Sequence, residues 1–344
     1  ASDAVPSPDG KSVAFVKRGE LFVTSVAYPT TRQITHTAQA ESEPTWGADN
    51  RTLVYVSERD GHSGLYKATI VRDDDPNFPN ATSIKEEALF PASDKVNRDT
   101  PKYSPDGKKL AFVADRSRIM VMDVKTKKVR QITDGSGCLT RTGVDYMWSP
   151  DSRWIAFTTV DNHHSPYSDI AIVNVDDSKP EVTNITRSGY FDENPVWALD
   201  GNALIFISER YGMRNHASWG SQGDVMIAFM NQEAMDRFNL NEEDFELYKD
   251  AEKKRKDKNN EVEYADSVKT VKVDRAGIED RIMRLTPYSS DLAGAVITAD
   301  GKTLYYLSAV EKGYDLWKKD LRKGDISVAS KLDAGYLNMA LDKD

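Results

Sequence analysis

Short apolar runs separated by polar turns recur along the whole chain. Residues 96–133 contain three such runs, at 110–113, 119–124 and 129–132, and an extended lead-in at 100–104 precedes them. Runs of this length that are rich in β-branched and aromatic residues are typical of strands. A Pro-Asp-Gly turn follows the lead-in, and its residues favour a tight reversal of the chain. The stretch therefore predicts a four-stranded antiparallel sheet.

Copies of this unit follow one another along the sequence. The turn aspartate recurs at Asp9, Asp49, Asp106, Asp151, Asp200, Asp300 and finally Asp344. The intervals are about 40 to 57 residues, apart from one of about 100, and a propeller blade repeats every 40 to 50 residues or so. A single small sheet cannot bury a core by itself. The repeats are therefore expected to stack as the blades of a β-propeller.

The predicted fold class is all-β, a propeller of four-stranded antiparallel blades spanning residues 1–344 as a single domain. Six full repeats are visible, and residues 336–344 read as the opening strand of a further blade. The ring is six-bladed if it closes within these residues and seven-bladed if the chain continues, which the final turn without its glycine favours. The blade limits are about 5–40, 41–95, 96–138, 139–190, 191–290 and 291–335.

The long interval in blade five predicts an insertion at residues 230–277. Its apolar residues, among them Met235, Phe238 and Phe245, permit one or two short amphipathic helices before a highly charged tail. The basic run at 253–258 is interpreted as a solvated helix face rather than a binding patch.

An aromatic residue stands three positions before the turn aspartate in four of the six repeats. The four are Trp46, Tyr103, Trp148 and Trp197. Aromatic rings of this kind either form a ligand cage or pack one blade on the next. Packing is the preferred interpretation, because rings bury large apolar areas.

Charge and cysteine content exclude several functional classes. The net charge is −9, and the basic residues are not clustered on the strand pattern. Nucleic-acid and anionic-membrane binding are therefore disfavoured, and no apolar run is long enough to cross a membrane. The single Cys138 rules out an internal disulfide and is interpreted as a buried or loop thiol.

No cofactor, metal site or catalytic centre is predicted. The three aspartates at 73–75 lack the alternating ligand spacing of a calcium loop, and the adjacent His163 and His164 point apart if they lie on a strand. A nucleophile elbow needs G-x-S-x-G, whereas Trp219 occupies the first glycine position of the nearest match, at 219–223.

Candidate binding residues follow from the topology of a meander blade. The second-to-third connections and the entries to the inner strands share one rim. Charged residues expected there are Glu43, Asp145 and Glu193 before inner strands, and Arg59, Arg116 and Arg210 after second strands. A rim with both signs of charge suits peptide termini and polar main chain.

The long loop at 208–223 adds the strongest candidates on that rim. Arg210, Arg214, His216 and Trp219 are predicted to contact or gate a substrate, because guanidinium groups hold carboxylates and stack on aromatic rings. The alternative, that intramolecular ion pairs merely order the loop, stays open.

Several motifs resemble a known family. They are the SPDGK turns, the SER-x-G endings at 57–61 and 208–212, the RQIT strands, and the runs at 210–227 and 278–321. Together they are similar to the propeller half of bacterial tricorn-type serine peptidases. The SPDG turn alone is shared with TolB and with dipeptidyl-peptidase propellers, whereas the two long runs are more specific.

The resemblance implies a non-catalytic propeller that gates or guides peptides towards a serine peptidase part C-terminal to these residues. The implied partners are peptides or unfolded polypeptide, the peptidase domain and further subunits, without nucleic acid or membrane insertion. The implied location is the periplasm, with the cytoplasm as the alternative. A free-standing TolB-like propeller that binds a partner protein through a rim remains the second interpretation.

Overall fold

A computed structural model of the protein describes residues 2–138, 144–160, 165–213, 221–258, 270–310, 312–335 and Met339. The chain divides into two compact units, Ala1–Val144 and Asp145–Asp344. The strands of the described residues form six four-stranded antiparallel sheets, three in each unit, and each sheet pairs its strands in chain order. The prediction of six four-stranded repeats is confirmed.

The first unit contains blades one to three. Blade one has β1 (Ser2–Pro6), β2 (Ser12–Lys17), β3 (Glu20–Ser25) and β4 (Thr31–Gln33). Blade two has β5 (Glu41–Trp46), β6 (Thr52–Ser57), β7 (Gly64–Ile70) and β8 (Ile84–Ala88). Blade three has β9 (Arg98–Tyr103), β10 (Lys109–Ala114), β11 (Arg118–Asp123) and β12 (Val129–Gln131).

The second unit contains blades four to six. Blade four has β13 (Tyr146–Trp148), β14 (Trp154–Thr159), β15 (Asp169–Asn174) and β16 (Thr183–Asn184). Blade five has β17 (Asp192–Ala198), β18 (Ala203–Ser208), β19 (Asp224–Phe229) and β20 (Ile282–Arg284). Blade six has β21 (Asp291–Ile297), β22 (Thr303–Ala309), β23 (Tyr314–Asp320) and β24 (Ile326–Ala334). Apart from Met339, the predicted start of a further blade lies outside the described residues.

The hydrophobic cores lie between neighbouring blades. In the first unit, Leu21 of β3 and Tyr55 of β6 belong to one fully buried cluster. In the second unit, Phe229 of β19 and Leu304 of β22 share another. Within each unit, neighbouring sheets thus hide apolar side chains against each other, which is how small repeats obtain a core that none of them could form alone.

The aspartate turns between the first and second strands share one hydrogen-bond pattern. A hydroxyl two residues earlier donates to the turn carboxylate, from Ser7 to Asp9, Ser104 to Asp106, Ser149 to Asp151 and Thr298 to Asp300, over 2.6–2.7 Å. This bond lowers the pKa of Asp9. Gly107 follows its aspartate with φ +69°, and Asn50 and Ser152 take the same left-handed position where glycine is missing.

The threonine of the RQIT-type strands has a structural role that recurs in four blades. Its hydroxyl oxygen accepts a hydrogen bond from the amide of the second residue of the third strand, between Thr35 and Leu21, Thr133 and Ile119, Thr186 and Ile170, and Thr286 and Val225. In three of these blades the same hydroxyl donates to an acid at the start of the third strand, namely Glu20, Asp169 and Asp224. The outer two strands are thereby joined at one end by a side chain.

Three of the four aromatic residues before the turns, Trp46, Tyr103 and Trp197, pack between blades, as predicted. Trp46 donates through Nε1 to the carbonyl of Val5 on the preceding inner strand, at 3.1 Å. In the second unit Trp197 makes the corresponding bond to Met147, at 3.3 Å. The indole therefore joins consecutive inner strands in both units.

The blade-five insertion forms two helices, α1 (Gln232–Phe238) and α2 (Glu242–Lys258), as the sequence predicts. α2 continues through the basic residues at 253–258, in agreement with the helix face expected there. Phe238 packs against Phe229, with ring centroids 5.1 Å apart. The guanidinium of Arg322 lies 4.2 Å from the ring centroid of Phe245 and donates to the Leu240 carbonyl, so α1 and α2 are fastened to blade six.

The insertion lies on the rim of the aspartate turns. Asp151, in the blade-four turn, accepts the amide of Val271 at 2.8 Å. The Val271 side chain covers Gly201 in the blade-five turn, where a Cβ would come within 2.3 Å of it. Lys302, in the blade-six turn, pairs with Glu246 of α2 at 2.7 Å. The rim at the other end of these strands is the one with the candidate binding residues.

The helices described here include none that is both long enough and apolar enough to cross a membrane.

We predict that the threonine caps contribute unequally to stability. Thr186→Val removes both the Ile170 cap and a donor to Asp169, whose side chain is fully buried. It should lower the free energy of unfolding by about 2–3 kcal/mol, because a buried carboxylate loses a hydrogen bond. Thr133→Val is the matched control, since Arg118 stands where the acid would be, and should cost about 1 kcal/mol. Urea unfolding measures both, and equal costs would contradict the role given to the acid.

Candidate functional site

A cavity of about 850 Å³ lies in the second unit, between the inner strands of blades four, five and six. Its lining is mainly apolar and includes Met147 from β13, Val196 and Trp197 from β17, and Leu292 and Val296 from β21. Binding cavities are commonly of this size, with an apolar lining and a few polar groups that orient the ligand. The inner strands thus offer space for more than one side chain of a ligand.

A smaller cavity of about 200 Å³ lies next to the large one and shares four lining residues with it, Asn194, Ile207, Leu292 and Tyr314. Its other lining residues include three acids, Glu193, Glu209 and Asp291. These residues lie at the entry of β17, the end of β18 and the entry of β21. The large cavity therefore meets an acidic mouth at the rim that the sequence predicts for binding.

The acids at this mouth influence one another. Burial raises the pKa of Glu193, and the nearby carboxylates of Glu209, Asp145 and Asp192 raise it further. Burial also raises the pKa of Asp192. Carboxylates gathered in a partly desolvated place repel each other when ionised. A cation bound among them would relieve that repulsion.

The inner strands carry bulges at the same rim. The register with the second strand shifts in β1, β5, β9, β17 and β21. Four of these bulges have a non-glycine residue at positive φ, namely Asp3, Glu43, Thr100 and Asn194, with φ between 51° and 56°. Such backbone is strained, and bulges turn a side chain away from the regular ladder.

Glu43 joins consecutive bulges in the first unit. Its amide donates to Oδ2 of Asp3 at 3.2 Å, and its Oε2 accepts the amide of Thr100 at 2.5 Å. Burial raises the pKa of Glu43, as do the carboxylates of Asp99 and Asp3. Glu43, which is predicted to face a ligand, therefore also has a structural role, because its backbone amide and its carboxylate together link three inner strands.

Arg59 is held by intramolecular contacts. It pairs with Glu41 at 3.2 Å and Glu86 at 3.0 Å, and its guanidinium lies 4.2 Å from the ring centroid of Tyr66. Its Nε also donates to Ser57 at the end of β6. These contacts agree with the alternative that the arginine orders its own rim, and a contact with a ligand stays a prediction.

Arg210 repeats this arrangement in the second unit. It pairs with Asp192 at 3.3 Å and donates to Ser208 at the end of β18. The arginine follows the acid by 18 residues in both blades. The SER motif that ends both second strands is thus a clamp on the first residue of the inner strand.

The structure brings together only some of the predicted binding residues. In the second unit, Asp145 lines the large cavity and Glu193 the small one. In the first unit, Asp99 connects two of them electrostatically, because it raises the pKa of Glu43 and is itself affected by Arg116. Arg214, His216 and Trp219 lie outside the described residues.

Sequence reasoning missed Asp192, Glu209, Asp291 and the apolar lining of the cavity. The spacing of 18 residues between an acid and the arginine of the SER motif was the available signal for Asp192. Glu209 is the middle residue of that same motif. The sequence singles out two lining residues of the large cavity, Asp145 and Trp197, whereas the rest of the lining looks like ordinary strand residues.

Comparisons with known proteins agree with this architecture. Residues 84–218 match the family model described as the TolB beta propeller domain. The Tol-Pal system protein TolB of Francisella tularensis subsp. mediasiatica is 24% identical over 171 residues, which are 48% of this chain and 34% of that protein. A putative Tricorn-like protease C-terminal subunit of Sulfurisphaera tokodaii is 30% identical over 110 residues, 32% of this chain and 12% of that protein. The matches thus span a third or so of these relatives' lengths, or less.

Solved structures show the same fold. The tricorn protease has a TM-score of 0.65 at 16% identity, covering 96% of this chain and 30% of that chain. The β-propeller domain of the Trilobed protease from Pyrococcus furiosus has a TM-score of 0.51 at 11% identity, covering 96% of this chain and 84% of that chain. The predicted β-propeller class and the similarity to TolB and tricorn propellers are confirmed.

The clamp formed by Arg210 leads to a stability prediction. Arg210→Met should lower the free energy of unfolding by about 2–4 kcal/mol, because it leaves the buried Asp192 carboxylate without its cation. Arg153→Met is the control, since both partners of the Arg153–Asp176 pair are well exposed, and it should cost less than about 1 kcal/mol. Urea denaturation measures both variants, and a negligible effect of Arg210→Met would refute the clamp.

Because the pKa of Glu193 is raised, replacing this acid with a neutral residue should stabilise the protein, by an amount that depends on pH. The native state favours the protonated acid, so ionised Glu193 costs stability at neutral pH and nothing below the unfolded pKa of about 4.3. Glu193→Gln should therefore raise Tm by roughly 1–2 °C at pH 7, with no difference near pH 4.

A control substitution that should change Tm in the opposite direction is available in blade two. Hydrogen bonds from Lys67 and Lys85 lower the pKa of Glu87 to about 2. Glu87→Gln should therefore slightly lower Tm at pH 7, and the difference should vanish as the pH falls towards 2. Calorimetry from pH 4 to 8 tests the Glu193 prediction, which fails if Glu193→Gln destabilises the protein at pH 7.

Proposed function

We propose that this chain is a non-catalytic propeller region that binds extended polypeptide at its inner strands and guides it towards the serine peptidase part of a tricorn-like protein. The observation that carries the proposal is the 850 Å³ cavity between the inner strands of blades four to six. Its mouth is on the rim away from the helical insertion, whose contacts are with the aspartate turns.

The chemistry of this cavity suits a polypeptide. Apolar side chains of a substrate would pack against Met147, Val196 and Trp197. Its main-chain amides would form hydrogen bonds with the carboxylates and with the Asn194 side-chain amide at the mouth. A pocket that combines an apolar lining with a few polar groups selects both the side chain of the ligand and the orientation in which the ligand binds. Contacts of polypeptide with Glu43, Arg59 and Arg116 in the first unit, and with Arg210, Arg214, His216 and Trp219 in the second, are also part of the proposal.

The proposed partners are peptides or unfolded polypeptide, together with the peptidase domain and further subunits of the same protein. The proposed location is the periplasm, with the cytoplasm as the alternative. Both proposals rest on the similarity to TolB and tricorn-like proteins.

A TolB-like interaction module is the second candidate function. The TolB family match at residues 84–218 and the longer aligned region with TolB favour it. In that case the rim would bind a folded partner protein, and extended peptides would compete poorly for it.

Peptide binding by the isolated 344-residue chain distinguishes the two functions. We expect fluorescein-labelled, unstructured peptides to bind with micromolar affinity in fluorescence anisotropy, and Ala293→Trp to weaken binding about tenfold or more, because Ala293 lines the cavity and a large side chain would fill it. A fluorophosphonate probe for activated serines should leave the 38.5 kDa chain unlabelled.

The matched control for the filled cavity is Ala88→Trp, at the outer edge of blade two in the first unit. Peptides that bind Ala293→Trp as well as the unmodified chain would refute the proposed binding site. A labelled serine on the 38.5 kDa chain would refute the absence of catalysis.

A further inference from the structure

One position in the inner strands, the residue at positive φ in the bulge, links consecutive blades in the first unit. Asp3, Glu43 and Thr100 occupy this position in blades one, two and three. The carboxylate of Asp3 accepts the amide of Glu43 at 3.2 Å, and the carboxylate of Glu43 accepts the amide of Thr100 at 2.5 Å. The acidic side chains at this position therefore have a structural partner in the next blade.

Asn194 occupies the same position in blade five. It has φ 56° and, like Glu43, it precedes a proline and stands three residues before a tryptophan. The strand pairing also agrees, because Val196 lies opposite Ile205 just as Thr45 lies opposite Val54. Asn194 is therefore the structural equivalent of Glu43.

The link to the next blade is missing at Asn194. By the same register, its equivalent partner would be the amide of Gly294 in β21, since Val296 lies opposite Tyr305 as Val196 lies opposite Ile205. Among the residues that the structure describes, none forms a hydrogen bond with the Asn194 carboxamide. The side chain at this position of blade five thus has no role in joining the blades.

The carboxamide lies instead at the wall that the two cavities share. Asn194 lines both the large and the small cavity, and its side chain is exposed. Gly294 lines the large cavity from β21. Where the first unit has an interblade hydrogen bond, blades five and six therefore have a space that a ligand can enter beside Asn194.

Folding alone does not account for an asparagine here. Glycine suits positive φ better than any other residue, and a residue before proline favours extended backbone. Asparagine is tolerated at positive φ mainly because its short side chain can bond to nearby backbone, and the Asn194 side chain makes no such bond within the described part of the chain. Strained residues with no structural partner are a reason to look for a role in binding.

The chemistry of a carboxamide matches that of a peptide main chain. The side chain of asparagine has an acceptor oxygen and a donor NH₂ group side by side. One residue of an extended chain presents its N–H and its C=O at the same edge, and both are exchanged in an antiparallel pair. The carboxylate of Glu43 could accept the N–H but could not donate to the C=O. Asparagine can satisfy both groups.

We propose that Asn194 recognises the main chain of an extended polypeptide by pairing its carboxamide with the N–H and C=O of one residue. This inference rests on the proposed function and specifies its ligand class, which is extended polypeptide recognised through its backbone. Side chains alternate along an extended chain, so a neighbouring apolar side chain enters the large cavity. A proline or an N-methylated residue lacks the N–H and is disfavoured at the paired position.

The test moves a single N-methyl group along a labelled peptide. An acetylated, fluorescein-labelled, unstructured heptapeptide is methylated at one backbone nitrogen at a time, and binding is measured by fluorescence anisotropy. We expect one position at which methylation weakens binding about three- to tenfold more than it does elsewhere, because a hydrogen bond is lost there. With Asn194→Gly, the unmethylated peptide should bind about three- to tenfold more weakly, and the sensitivity at that position should disappear.

Two further variants separate recognition from folding. Asn50→Gly makes the same replacement at φ 55° in the blade-two turn, and it should leave both the affinity and the methylation profile unchanged. Asn194→Asp keeps the shape and the acceptor but loses the donor, so it should bind more weakly and still respond to the N-methyl group. Urea unfolding should show no lower midpoint for Asn194→Gly, because glycine suits positive φ.

Each outcome has a defined meaning. A uniform methylation profile, or full affinity in Asn194→Gly, would overturn the role of Asn194, while the proposed peptide-binding function would stand. Weaker binding by Asn194→Gly together with a lower urea midpoint would also overturn it, because the side chain would then support the fold. Absence of binding by the unmodified chain would overturn the proposed function and this inference together.

Discussion

The structure depends on one constraint, which is that a four-stranded blade cannot bury its own two faces. Every large apolar cluster in the described residues therefore draws from two consecutive sheets, as with Tyr55 beside Leu21 and Leu304 beside Phe229. Stability is consequently a property of neighbouring pairs of blades rather than of single repeats. Polar groups at the two rims then fix how each sheet meets the next.

The two rims are built from different chemistry. At the turn rim, a hydroxyl and an aspartate close the reversal locally in four of the six blades. At the other rim, acids, hydroxyls and arginines connect elements that are distant in sequence, as in the clamp of Arg210 on Asp192. The second type of contact costs more if one member is lost, because a carboxylate is left buried. It also gathers charge where the inner strands begin.

Much of the fold was predictable from sequence because the relevant signals are local. Alternating apolar runs and Pro-Asp-Gly turns predict the strands, and a single overlong interval predicts α1 and α2. The attachment of the insertion to the turn rim through Val271 was not predictable, since it depends on packing over Gly201. The candidate site was predictable only in part. Blade topology places Glu193 at the rim where the structure has it. The roles of Asp192 and of the apolar cavity depend on contacts between strands, which the hydrophobic periodicity of a sequence does not indicate.

The positive-φ bulges and the gathered acids have a common physical interpretation. Glu43 and Asn194 hold strained backbone at the entries of inner strands, and Glu193 keeps a carboxylate where burial and three other acids disfavour its ionised form. Each of these features lowers stability. Glycine would relieve the backbone strain, and an amide in place of the Glu193 carboxylate would relieve the charge repulsion. Strain and like-charge repulsion are retained in proteins where the surrounding fold is strong enough to bear them and where binding uses them. In this chain the interblade cores provide that strength, so the fold tolerates strained backbone and like charges at the entries of the inner strands.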